Sequence, residues 1–570
     1  MKKSILSVTL IALLVWSCDD LDLDLQDNPN QPAIESADIN SLYNQLQLDL
    51  ELALFEIEEQ AGEVSRMYNA TSPNYPAATL PAEFDFLWNT FYADFLPDVG
   101  AIRGLAEEQG LNIHLGTALV MEAYMLMAMV DVFVDIPFSE AGGGIDNLAP
   151  NVDGGESVYA SADALLDEAI GLLSSPGDIA PDFDNFYGGD AAKWITLANT
   201  IKLRAAFLSG DAAGFNSIIS GGDFIDDVSE DFQFNYGRTR INPNSRSQLY
   251  DNMWEQADGD YMSNYYMWLL RADKVDTDGT TALRDPRLRY YFFRKVNSSD
   301  RQPADSFGCL LSGLPDQAFK PSSWEGIAGE DRLPYCYAST DGYTGRDHLN
   351  GSGIPADGAI RTAYGLYPAA GDFDANDFVN TQNLGADGGQ GLGILPIMLS
   401  SWVDFMRAEA ALTLGTAGDP LALLVSGVEK SLNKVRGFES LVEDKMSSTI
   451  TVNGVESTIR ATFGMSDDDI TDYIALVTRL YNEAGSDAER LDVIVKEFYL
   501  AAFGNGLEAF NMYRRTGMPA NMQPALQPEG AGDFPRSFRY PNAFVDRNIN
   551  ANQKTEADRV FWDPGTSAVY

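Results

Sequence analysis

Aromatic rings alternate with hydrogen-bonding side chains in two stretches of the chain. The first runs from Arg66 to Tyr75 and contributes Tyr68, Asn69 and Tyr75. The second runs from Trp324 to Asp347, with Tyr335, Tyr337, Asp341, Tyr343 and Arg346, and Arg361 and Tyr364 lie just beyond it. A sugar offers flat apolar C–H faces and a rim of hydroxyls. Stacking rings edged by amide, carboxylate or guanidinium groups match both features. These residues are therefore the candidate ligand-binding set, and for any one ring the competing role is loop packing.

Other chemistries find less support. With 84 Asp and Glu residues, a carboxylate pair for glycoside hydrolysis can be drawn almost anywhere and so carries no information. The only histidines are His114 and His348, and no HExxH or CxxC occurs, which argues against zinc sites and histidine-based triads. The glycine-rich DGGQGLG at 387–393 lacks the Lys-Ser/Thr of a phosphate loop. DFDAND at 372–377 is acidic enough to hold structural calcium, but a solvated loop is the simpler reading. No catalytic residue, cofactor or metal is expected.

The N-terminus reads as an export signal. Lys2 and Lys3 precede an apolar run from Ile5 to Trp16, shorter than the about 20 residues that span a bilayer. Cys18 follows directly and stands where a bacterial lipoprotein carries its lipidated cysteine. Residues 1–17 are then the signal peptide and 18–36 an anchor and acidic tether, DDLDLDLQDNPNQP at its heart. Multiple acyl chains such as palmitate would hold the body to a membrane without a spanning helix. Cys309 and Cys336 remain, and in an oxidising compartment an even remainder points to a disulfide; two free buried thiols are the alternative. The net charge of −46 argues against nucleic acid and anionic lipid.

The elements that must position the candidate loops read as mainly α. Leu42, Leu46, Leu50, Leu54 and Ile57 recur at helical spacing between Ala37 and Glu59. Phe84, Trp88, Tyr92 and Phe95 form an aromatic stripe, whose Trp88 lies beside the first candidate loop. NIHLGTALVMEAYMLMAMVDVFVDIPFSEA is a strongly apolar helix expected to stop at Pro137. Ala160–Leu173 and Ala192–Leu208 follow, so the N-terminal half reads as helix pairs of tetratricopeptide size. Residues 210–393 turn Gly-, Pro-, Asn- and Asp-rich, an insertion long enough to be functional. Trp254 and Trp268 read as its core. Helices return over 394–520, and 521–570 is irregular and expected to wrap back over them. The fold class is thus tetratricopeptide-like helix pairs forming a scaffold (37–209 and 394–520), with a loop-rich insertion carrying the ligand site.

Several strings share one resemblance. CDDLDLDLQDNPNQP, WNTFYADFLPDVGAI, DVFVDIPFSEA, RDPRL at 284–288, SSWVDFMRAEAAL, IVKEFYLAAFGNGLEAFNMYRRTGMP and PRSFRYPNAFVDRNINAN occur in the order of motifs in the SusD/RagB family of surface lipoproteins. The chain departs from them at Val132–Val134, Phe138, Trp402–Asp404, Phe510 and Val545. The resemblance implies a non-catalytic protein, lipid-anchored at the outer membrane and surface-exposed. Its partner would be a SusC-like TonB-dependent transporter and its ligand a glycan. Peptide capture, as in RagB-like members, is the alternative, and a surface glycoside hydrolase a more distant one. The resemblance also implies stacking aromatics in an early loop and in the mid-chain insertion, although no motif matches the candidate positions residue by residue. Arg514 and Arg515 are expected to pair with carboxylates such as Glu508 rather than with ligand.

Overall fold

A computed structural model describes residues 38–142, 147–175, 179–255, 261–295, 334, 342–350, 361–378, 385–526 and 530–565. The longer helices of the N-terminal half are α1 (Ile39–Val64), α2 (Leu96–Gln109), α3 (Asn112–Phe133), α4 (Gly155–Leu173), α5 (Ala191–Ser209) and α6 (Ala212–Gly221). Those of the C-terminal half are α7 (Ser400–Thr413), α8 (Pro420–Gly437), α9 (Asp467–Glu483), α10 (Asp487–Ala501) and α11 (Gly506–Thr516). Many begin at a short polar cap. The side chains of Asp38, Asp190, Asp211, Asp419, Ser466, Ser486 and Asn505 each accept from a backbone N–H of the first turn. Part of the acidic excess thus sits where helix N-termini favour it.

Successive helices pack on one another from α1 to α6 and again from α7 to α11, and α11 closes the array against α1. At that crossing Gly506 and Gly62 bring the two backbones together: a Cβ on Gly506 would lie 2.1 Å from the Glu58 carbonyl oxygen. Helix α3 is long and apolar enough to cross a membrane, but it is buried throughout as the central helix of the N-terminal half. It ends at Phe133, where Val134 turns to φ 73°, and not at Pro137 as expected. The aromatic stripe is helical, with a π-helical segment at Thr90–Phe95 between Asp85–Asn89 and α2. Helix α6 lies inside the stretch that the composition gave to loops.

Short antiparallel pairs stitch the insertion to this frame. Strand β1 (Phe232–Asn235) pairs with β4 (Ile394–Met398), and β2 (Phe292–Phe293) with β3 (Ala363–Tyr364). A separate hairpin joins β5 (Thr449–Val452) to β6 (Val455–Thr458) through Asn453 and Gly454, both at positive φ. The RDPRL turn is an internal anchor. Buried Arg287 bonds Asp285 at 2.6 Å and Glu497 of α10 at 3.0 Å, and donates to the Tyr473 hydroxyl of α9. The glycines of DGGQGLG are spacers: Cβ atoms on Gly388 and Gly393 would lie 2.0 and 2.2 Å from the carbonyl oxygens of Gly371 and Pro368. The C-terminal segment does wrap back, with Phe538 N–H donating to Val132 O and Trp562 Nε1 to Asp131.

Candidate functional site

The two candidate stretches meet on one segment, Tyr261–Asn264. Asn69 N–H donates to Tyr261 O (3.0 Å), and Tyr68 bridges to Met262. From the other side Arg346 N–H donates to Met262 O (3.0 Å), and Asn264 N–H to Arg346 O (2.8 Å). Thr362 then ties Arg361 to the same layer by donating to Thr344 O (3.0 Å). The Arg346 guanidinium lies 3.7 Å from the centre of the Tyr261 ring and that of Arg361 5.3 Å. Tyr261 is only half-buried. Lys295 is buried nearby, and burial, with the Arg361 charge beside it, lowers its ammonium pKa to about 8.

The two stretches meet, but their rings are not exposed. Tyr68, Asn69, Tyr75, Tyr343, Arg346, Arg361 and Tyr364 are all buried. The Tyr68 hydroxyl donates to Glu58, and its ring meets Tyr364 edge-on at 5.7 Å and Phe503 at 6.0 Å. Tyr75 accepts from Arg66 at 2.6 Å, with His348 beside it at 3.2 Å. Burial and the Arg66 charge hold the His348 imidazole well below its ordinary pKa. Tyr343 donates to Asp374 and carries Arg294 over its ring at 4.7 Å. The expectation of free stacking faces is therefore corrected for Tyr68, Tyr75, Tyr343 and Tyr364: all four are buried, and the hydroxyls of Tyr68, Tyr75 and Tyr343 are engaged by polar partners. Trp324, Tyr335, Tyr337 and Asp341 lie outside the described residues, as do Cys309, Cys336 and Cys18.

Both histidines of the chain have polar neighbours. His114 Nε2 meets Asn40, and His348 meets Tyr75. Among the described residues no group of three potential metal ligands occurs. In DFDAND, Asp374 pairs with Arg294 at 2.6 Å, and Asp372 and Asp377 with Lys445 at 2.7 Å. These carboxylates already face cations.

Residues 33–328 match the family described as starch-binding, associating with the outer membrane, and residues 394–561 match the SusD and RagB outer membrane lipoproteins. The chain belongs to the SusD-like family. A comparison with curated protein sequences returned no match. Solved SusD-like structures share the fold at low identity. A SusD/RagB family protein from Bacteroides thetaiotaomicron aligns at 18% identity and TM-score 0.64, over 93% of this chain and 100% of its own. A chitin-binding SusD homologue from Flavobacterium johnsoniae gives 16% identity and TM-score 0.60 over 93% and 99%. A SusD homologue from Bacteroides fragilis gives 17% and 0.57 over 90% and 99%.

In this SusD-like chain the motif residues hold the frame. Arg514 donates to Asp131 O and Arg536 O, and its guanidinium lies 3.9 Å from the Phe510 ring centre. Arg515 grips Glu409 with two bonds. Glu508, the partner expected for these arginines, instead takes Arg204 at 2.6 Å, which also holds Asp131 at 2.9 Å. Trp88 is core, packed on Phe133 and Phe544, and Trp254 and Trp268 are buried in the insertion as expected. The residue that sequence reasoning missed is Tyr261. It sits in WEQADGDYMSNYYMW, the string whose Trp254 and Trp268 read as insertion core.

Proposed function

We propose that this protein is a non-catalytic cell-surface lipoprotein that binds oligo- or polysaccharide and passes it to a SusC-like TonB-dependent transporter. The observation that carries the reading is membership of the SusD-like family over both halves of the chain, the families being named for starch binding and for outer membrane lipoproteins. Relatives of the same fold described as chitin-binding point the same way. The convergence of the early loop and the insertion at Tyr261 supplies a rigid floor, because both strands of that floor are backbone-bonded. To Trp324, Tyr335, Tyr337 and Asp341 this reading gives, from their chemistry alone, the roles of stacking rings and hydroxyl acceptor. Cys18 carries the lipid, and Asp19, Asp20 and Asp22 belong to the surface-export address.

The test is electrophoresis through gels containing soluble neutral polysaccharides, with reducing-end release measured in parallel. Retardation without release supports the proposal, and sugar release sinks it. Binding to a peptide library with no retardation in any glycan gel would transfer the function to peptide capture.

A further inference from the structure

An opening in the frame shares no lining residue with the Tyr261 cluster. It is a cleft of about 710 Å³ between β1 and the start of β4 on one side and helix α8 with its 3₁₀ continuation, Phe438–Val442, on the other. That volume is in the range of small-ligand sites. Helical spacing makes the second wall. Leu424, Val428, Leu432 and Val435 turn inward, which leaves Ser426, Glu429, Lys430, Asn433 and Lys434 to the cleft.

The cleft has a ring, an apolar floor and a polar rim. Phe438 is half-buried, and the buried Tyr367 meets it edge-on with centroids 4.9 Å apart. The ring is thus held in one place while its cleft side stays open, with Leu441 and Ile394 extending the apolar surface. The rim amides are also set by bonds that leave them further capacity. Gln233 donates to Asn235 Oδ1 (2.8 Å), Asn235 donates to Asn185 O (2.8 Å), and Asn433 donates to Glu429 O (3.0 Å). Asn235, Asn433, Glu429 and Ser440 remain exposed.

Charge narrows the ligand. Lys434 is taken by Asp231 at 2.6 Å and Lys430 by Asp404 at 2.6 Å. Asp227 and Glu429 add two exposed carboxylates to the rim. The cleft therefore offers no uncompensated cation for a carboxylate, sulfate or phosphate, and repels such groups.

We propose that this cleft is a second carbohydrate-binding site, for a neutral oligosaccharide stacked on Phe438 and hydrogen-bonded by Asn235, Asn433 and Glu429. The inference rests on the glycan-binding function proposed above and adds a place and a ligand class to it. Two sites on one rigid body let a single polysaccharide chain bind at two points, which raises avidity for polymer over short oligomer.

The experiment uses the full mature chain, neutral probes (chitotriose, maltohexaose, cellohexaose and soluble polymers of each) and the anionic polymer polygalacturonate. A neutral oligosaccharide should slow amide exchange over Gln233–Tyr236 and Asn433–Leu441. Phe438→Ala should weaken retardation by that polymer about tenfold. Because Phe438 also touches Tyr367, the double variant Glu429→Gln/Asn433→Ala is measured too: it should weaken binding about threefold at unchanged Tm. Wild-type retardation with full binding by both variants and no slowed exchange in the cleft overturns this inference alone. Absence of retardation in every glycan gel overturns the glycan-binding function and this site with it. Polygalacturonate slowing exchange in the cleft overturns the assignment to neutral ligands.

Discussion

Glu122 gives a quantitative handle on the scaffold. It lies on α3, is 8% exposed, and sits beside Arg103, which is already held by both oxygens of Glu168. Burial is the main cause that lifts its carboxyl pKa from 4.5 to about 7; Arg103 offsets part of this and Glu168 adds to it. The sign follows from linkage. Below pH 4.5 the carboxyl is protonated in folded and unfolded chain alike, and burial costs nothing through this proton. Between 4.5 and about 7 the unfolded chain ionises first, so stability falls as pH rises; above 7 the loss is complete. At about 1.4 kcal/mol per pH unit, the interval from 4.5 to about 7 amounts to about 3 kcal/mol. Glu122→Gln keeps the shape and removes the titration. For a chain of this length, about 3 kcal/mol moves Tm by roughly 2–3 °C. Scanning calorimetry of wild type and variant at pH 5 and pH 8 should show a gain for Glu122→Gln that is small at pH 5 and full at pH 8. An equal difference at both pH values would refute the reasoning, because it would mean packing and not ionisation separates the two proteins. Glu168→Gln offers a second arm, since removing its charge should lower the Glu122 pKa and shift the loss of stability to lower pH.

Three further outcomes follow from the same geometry. Gly506→Ala places a Cβ 2.1 Å from Glu58 O and from Gly62 N, so it should cost about 3 kcal/mol in urea denaturation; Gly100→Ala, in α2 with nothing within 4 Å, should instead gain about 0.5–1 kcal/mol, and equal effects would discredit the close-crossing account. Arg204→Met leaves Asp131 and Glu508 buried without their guanidinium and should destabilise by about 3–5 kcal/mol; a loss under about 1 kcal/mol would show that the pair is not held as an ion cluster. Cys18→Ser should abolish incorporation of labelled palmitate and release the protein from membranes, whereas alanine at Asp19, Asp20 and Asp22 should leave labelling intact and reduce cleavage by protease added to whole cells.

The scaffold was legible because helix periodicity is written locally. The Leu42-to-Ile57 spacing lies inside Ile39–Val64, and the stretch Ala192–Leu208 misses its helix by one residue at each end. Misreadings occurred where a backbone event has no strong side-chain signal. Helix α3 ends at Phe133 because the next residue, β-branched Val134, takes a positive φ, which sequence alone would not place three residues before a proline. Helix α6 was hidden by flanking glycines, which are its left-handed terminators and not a loop: Gly210 ends α5 and Gly222 ends α6.

The site was less legible because composition reports what a residue is able to do and not which way it faces. Tyr68, Tyr75, Tyr343 and Tyr364 have the right chemistry for stacking, yet each is turned inward by a partner distant in sequence, such as Asp374 for Tyr343 or Phe503 for Tyr364. The arginines show the same logic more sharply. Against 84 carboxylates the chain has only 38 Lys and Arg, and Arg204, Arg287, Arg294 and Arg514 are buried on internal acceptors. The cations that fix the fold are thereby withdrawn from the surface. These four guanidinium groups are thus not available to a polyanion, and the excess of carboxylates disfavours one. That is the physical ground for proposing a neutral ligand at the Phe438 cleft, which rings, amides and carboxylates line and whose two lysines are each paired with a carboxylate.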